Sequence, residues 1–81
     1  KNEKNDPVTV SMNSKGEIYI QKKKISPDDL IKRLVALKGQ NKDLKIYIKG
    51  DKNLNYGKIM DLMSFINKSG FKKVALVTKL K

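Results

Sequence analysis

The hydrophobic pattern of this chain changes period along its length, from two to about 3.6 and back, and the order of those changes limits the fold more than any single motif does. Val8, Val10 and Met12 alternate with Thr9 and Ser11, which predicts a strand with one buried face. Asn13-Ser14-Lys15-Gly16 carries turn chemistry, and Ile18 and Ile20 then alternate with Glu17, Tyr19 and Gln21, so the two runs read as a hairpin. Lys22, Lys23 and Lys24 read as an exposed bend, after which Ile25 returns the chain to the core.

The first helix is announced by its cap. Ser26 stands as N-cap, Pro27 occupies the first helical position, and Asp28 and Asp29 lie beside the positive end of the helix dipole, Asp29 at the capping-box place. Leu30, Ile31, Leu34, Val35 and Leu37 form the apolar stripe, with Gly39 as the expected stop. Adjacent acids on a helix point in different directions, so Asp28 and Asp29 are read as capping residues rather than as a catalytic pair.

Leu44, Ile46 and Ile48 alternate with Lys45, Tyr47 and Lys49, giving a strand apolar on one face and basic on the other. Ile59, Leu62, Met63 and Ile66 recur at helical spacing before a stop at Gly70, with Met60 and Met63 read as core filling. Phe71 follows, and Val74-Ala75-Leu76-Val77 is a short continuous apolar run that suits a strand covered on both faces. The expected fold is therefore α+β, a small mixed sheet with two helices packed on one face, in the order β-β-α-β-α-β. Its last three elements form a β-α-β unit, for which parallel strands and a right-handed crossover are expected. The sheet's other face is left open to solvent or a partner.

Between the third strand and the second helix lies Gly50-Asp51-Lys52-Asn53-Leu54-Asn55-Tyr56-Gly57-Lys58-Ile59, two glycines and a lysine at a helix start. A phosphate-binding loop of the Walker type needs four residues between its glycines and a hydroxyl after the lysine. Here the glycines are farther apart and Ile59 follows Lys58, while the dinucleotide fingerprint is absent. Asn55 reads as a helix cap and Asp51 as a carboxylate that bonds local amides.

Composition narrows the function classes. The chain has 81 residues, a net charge of +11, no Cys and no His, so disulfides, thiolate metal sites and His-based catalysis are excluded. No nucleophile-base pair or metal set suggests itself at any spacing, so neither a catalytic residue nor a cofactor is expected. No apolar run approaches the roughly 18 residues of a membrane helix. Residues 1 to 7 read as a flexible polar lead-in and 8 to 81 as one domain. The positive charge suggests a polyanionic partner, yet all but Arg33 of the 19 basic residues are Lys, spread over polar positions, which argues for a solvated surface and against nucleic acid.

Taken together, Gly16-Glu17-Ile18-Tyr19-Ile20, Ile25-Ser26, Leu30, Leu34, Ile46-Tyr47-Ile48, Asp51, Tyr56, Ile59-Met60, Met63, Gly70-Phe71 and Val74-Ala75-Leu76-Val77-Thr78 resemble the periplasmic domain of the ExbD/TolR biopolymer-transport family, the ExbD branch somewhat more than TolR. Asp51 and Tyr56 followed by Ile59-Met60, then the late Gly70-Phe71 and Leu76-Val77-Thr78, carry most of the likeness. Gln21-Lys22 departs from it, since the family often turns there with Asn-Gly. The resemblance implies a non-enzymatic domain beyond a single transmembrane helix not present here, whose proton-carrying Asp none of these Asp residues replaces. It further implies a homodimer, an ExbB- or TolQ-type membrane partner, a TonB- or TolA-type partner that carries the energy of the proton gradient to the outer membrane, and a link to peptidoglycan.

Small open sheets expose edge strands to which a partner's extended segment can add. The expected edges are Val8, Thr9, Val10, Ser11 and Met12 at the start, and Val74, Ala75, Leu76, Val77 and Thr78 at the end, with Lys79 and Lys81 as the alternative, guards against aggregation. The other candidate surface is the basic face carrying Lys45, Tyr47 and Lys49, which suits an acidic polymer, either peptidoglycan or nucleic acid.

Overall fold

The computed structural model describes residues 7–40 and 43–77. Its elements are β1 (Val8–Met12), β2 (Ile18–Ile20), β3 (Lys23–Ile25), α1 (Pro27–Gln40), β4 (Ile46–Gly50), α2 (Tyr56–Lys68) and β5 (Val74–Leu76). One mixed sheet has the order β3-β2-β1-β4-β5: β1 runs antiparallel to β2 and parallel to β4, and β4 runs parallel to β5. The α+β class and the parallel β4-α2-β5 unit follow the expected pattern, with one strand more than the sequence suggests.

Alternation decides which face is covered. Val8, Val10, Met12, Ile18, Ile20, Ile46 and Ile48 are buried and join Leu30 and Leu34 of α1 and Ile59, Leu62 and Ile66 of α2 in a single core. Both helices therefore cover the same side of the sheet. Leu44, Leu54 and Phe71 close that core from the connections.

The termini of the elements follow local chemistry. Ser26 Oγ accepts from the Asp29 amide at 3.2 Å, and Asn55 Oδ1 accepts from the Gly57 amide at 2.7 Å, so each helix has a side-chain cap. Gly70 takes φ +106 just beyond α2 and donates to the Asn67 carbonyl, ending that helix in the left-handed manner glycine favours. At the β1–β2 connection, the Gly16 amide donates to the Asn13 carbonyl and Gly16 sits at φ +84, the pattern of a three-residue hairpin loop.

Several expectations need correction. Lys23 and Lys24 are not merely a bend. They pair with Ile20 and Tyr19 in the extra edge strand β3, reached through a two-residue turn. The strand Val8–Met12 is not an edge: β2 and β4 bond it on either side, because the chain returns through α1 to pair β4 with it rather than with β3. Gly39 does not stop α1, which runs through it to Gln40; glycine ends a helix only where it takes a positive φ, and Gly39 does not. The Val74-to-Val77 run is covered on one side only, since β5 is an edge strand, with Val74 and Leu76 half-buried and Ala75 and Val77 exposed. Val35 is 56% exposed and Met60 lies at the surface, both off the stripes that face the sheet. The lead-in, apart from Pro7, falls outside the described residues, as do Thr78, Lys79 and Lys81.

Candidate functional site

The two edges of the sheet are chemically unlike. β3 is three residues long and carries Lys23 and Lys24, which guard it against another strand. β5 consists of Val74, Ala75 and Leu76 and has no charge of its own. Ile46 donates to the Lys73 carbonyl at 2.8 Å, and Val77 donates to the Ile48 carbonyl at 3.0 Å. Alternate residues of a parallel strand bond the same neighbour, so Lys73, Ala75 and Val77 turn their backbone groups toward β4. The N–H and C=O of Val74 and Leu76 face outward.

Beside that edge runs a shallow groove of about 450 Å³, lined by Met60, Asp61, Met63, Ser64 and Asn67 of α2 and by Val74. Met63 is half-buried and Met60 exposed, which gives the groove a flexible apolar wall. Tyr56, 55% exposed, begins the same helix.

The uncovered face of the sheet is ordered by register. One cross-strand row reads Lys24, Tyr19, Ser11, Lys49, and the next reads Thr9, Tyr47, Ala75. Lys45 precedes β4 in phase with Tyr47 and Lys49, and its carbonyl accepts from the Val8 amide at 2.9 Å. The structure thus places Lys45, Tyr47 and Lys49 on one basic, partly aromatic face. Among the described residues, neither Lys45 nor Lys49 has an acid within ion-pair distance.

At the corner of that face Glu17 is fully engaged. Lys24 Nζ donates to its Oε2 at 2.8 Å and Asn13 Nδ2 to its Oε1 at 2.8 Å, and these bonds, with the Lys24 charge, hold the carboxyl down from 4.5 to about 2. The bond to Glu17, with the Glu17 charge, in turn raises the Lys24 ammonium above its ordinary value. Asn13 Oδ1 also accepts from the Lys15 and Glu17 amides, so one asparagine ties the hairpin turn to the ion pair.

Asp51 and Tyr56 sit in a braced connection. The Asp51 amide donates to the Met12 carbonyl at 3.0 Å, Asp51 Oδ1 accepts from Asn53 at 2.9 Å, and Leu54 is buried in the core. Asp51 is thus a turn-former, while Tyr56 is left on the surface. Leu54 carries a signal that periodicity does not register: an isolated apolar residue in a polar loop is an anchor. On the far side, Lys38 Nζ donates to the Gly70 carbonyl at 2.9 Å and lies 5.3 Å from the Phe71 ring, fastening the end of α1 to the α2–β5 connection. Among the described residues no cluster of acids could hold a metal ion, and no helix is long and apolar enough to cross a membrane.

Fold and surfaces together define a small two-layer α+β domain whose distinctive features, among the described residues, are an uncharged edge strand and an uncovered sheet face. Residues 1–81 match the family described as biopolymer transport protein ExbD/TolR. The chain belongs to that family. It is 29% identical over 76 residues to the biopolymer transport protein ExbD of Pseudomonas aeruginosa, a match covering 94% of this chain and 57% of that protein. It is 28% identical over 71 residues to ExbD of Escherichia coli K12 and equally to that of Shigella flexneri, over 88% of this chain and 50% of each relative. The chain thus spans about half the length of the curated relatives it matches.

Proposed function

We propose that this chain is the periplasmic domain of an inner-membrane complex of the ExbB-ExbD-TonB type, which converts proton flow into energised outer-membrane transport, and that it acts through protein contacts rather than chemistry. Family membership supports the transport role. The observation that carries the mode of contact is the β5 edge, where the backbone groups of Val74 and Leu76 point outward beside the Met60–Met63 groove. An extended segment of a TonB-type partner adds to that edge as a sixth strand, gaining main-chain hydrogen bonds along Val74 to Leu76 and seating alternate side chains against the methionines. The same edge accepts β5 of a second copy when no partner is present, so partner and homodimer compete for it.

The test is a titration of isotopically labelled domain with a peptide from the periplasmic stretch of a TonB-type protein. Amide shifts and exchange protection should concentrate at Val74 and Leu76. Val74→Pro removes an outward N–H at the first residue of an edge strand, where proline is tolerated, and should abolish the shifts while the sheet persists. Shifts confined to β3 or to the helices would refute the assignment.

A second reading is favoured by the open face, where Lys45 and Lys49 flank Tyr47 without acidic partners among the described residues. This face would hold an anionic polymer, with peptidoglycan carboxylates fitting a periplasmic location. Co-sedimentation with isolated peptidoglycan that falls when Lys45 and Lys49 are both changed to Gln would support it, and retention indifferent to those changes would exclude it.

A further inference from the structure

We propose that the groove between the β1–β2 turn and α2 captures the free C-terminus of a peptide that ends in a bulky apolar residue. The groove is shallow and open, about 420 Å³, enough for a chain end laid against it rather than enclosed. Its floor is apolar: Met12 and Ile18 from the hairpin, Leu62 and Phe65 from α2, and Pro27 at the start of α1. Met12, Ile18 and Leu62 belong to the core, but Phe65 is 37% exposed. It lies off the stripe formed by Ile59, Leu62 and Ile66, so the sheet does not account for an aromatic ring here.

The rim carries charge brought from two separate elements. Lys15 belongs to the hairpin turn and Lys58 to the first turn of α2. The Lys58 Nζ lies 3.7 Å from where a Cβ at Gly16 would stand, ordinary van der Waals distance, so that side chain lies against the hairpin turn that carries Lys15. Neither lysine has an acid within ion-pair distance among the described residues. Glu17, the acid nearest to Lys15 in sequence, is committed to Lys24 and Asn13. Asp61, three residues beyond Lys58 on the same helix, lines the groove as well.

Two ammonium groups, one acceptor and an apolar floor match three features of a chain end. The terminal carboxylate meets Lys15 and Lys58 in charge-assisted hydrogen bonds, the last amide N–H donates to Asp61, and the last side chain lies on Phe65 and Leu62. A phosphate dianion would be repelled by Asp61 and would leave the floor unused. A fatty carboxylate would leave Asp61 without a donor.

The experiment is an amide-shift titration of the labelled 81-residue chain with an acetylated pentapeptide ending in leucine, once with a free carboxylate and once as the C-terminal amide. The acid form should give saturable shifts at Lys15, Gly16, Lys58, Asp61 and Phe65, weakening as salt is raised, and the amide form should bind at least tenfold more weakly, about 1.4 kcal/mol. Lys15→Ala with Lys58→Ala should erase the difference between the two forms, and Phe65→Ala should weaken both, with unchanged melting temperatures as the check on folding. Equal affinity for acid and amide, shifts confined to β5, the absence of shifts at millimolar peptide, or decanoate binding as tightly as the peptide would each overturn the proposal.

Discussion

Replacing Gln21-Lys22 by Asn-Gly should stabilise the domain, and the magnitude follows from two backbone angles. The β2–β3 turn has only these two residues between the paired Ile20 and Lys23, and they adopt φ +50 and φ +76. Two positive φ values in a two-residue loop are the signature of the type I′ turn, whose preferred sequence is Asn-Gly because other side chains crowd the backbone there. An ordinary residue in this region costs roughly 1–2 kcal/mol, while a new glycine returns roughly 0.4–1 kcal/mol through the freedom it adds to the unfolded chain. Asparagine tolerates the left-handed region without that return, so the double substitution should gain about 1–1.5 kcal/mol. In a domain of this size that corresponds to a rise in melting temperature of about 5–10 °C. Thermal unfolding followed by circular dichroism measures it, and urea unfolding should show a higher midpoint at an unchanged m-value. Lys22→Ala is the control, because it removes the charge but keeps the Cβ at φ +76. An Asn-Gly variant no more stable than the parent, or a gain matched by Lys22→Ala, would refute the argument from φ.

Glu17 titrates at about 2 when folded and near 4.5 otherwise, so its contribution is present above the higher value and is lost as pH falls toward the lower one; Glu17→Gln should flatten the melting temperature against pH between those limits. Asn55→Ala removes the α2 cap and should cost roughly 1 kcal/mol by urea unfolding. Leu34→Ala, at a fully buried site, should cost roughly 2–5 kcal/mol, whereas Val35→Ala on the next residue should stay within about 0.5 kcal/mol, a contrast that tests the helix face directly.

Features that depend on a few neighbouring residues are legible in the sequence. The caps at Ser26 and Asn55, the stop at Gly70, and the buried and open faces of the strands at Val8, Ile18 and Ile46 all express local stereochemistry or simple alternation. The extra strand, Lys23–Ile25, has no alternation to show, since its existence depends on a turn in which Gln and Lys occupy left-handed angles they seldom take. The rank of β1 within the sheet is a non-local fact: Val8–Met12 reads the same at an edge or at the centre, and only the return of β4 through α1 decides between them. The groove at Lys15 and Lys58 is hidden for the same reason, since it joins a hairpin turn to a helix far along the chain. The family resemblance is legible because it rests on spacing, and Asp51, Tyr56 and Gly70-Phe71 keep their spacing whatever the chain does around them.

The central position of β1 gives this small domain a mechanical character. A pull that enters at Val8 and leaves through β5 runs along strands that lie side by side and point the same way, so β1 cannot peel from β4 one bond at a time. The bonds joining it to β4 are strained together, while the hairpin partner β2 grips its other side at Val10, Ser11 and Met12. A domain so threaded transmits tension across its sheet before it yields, and it yields at the short β5 strand, where three registered pairs hold the edge, before it yields at β1.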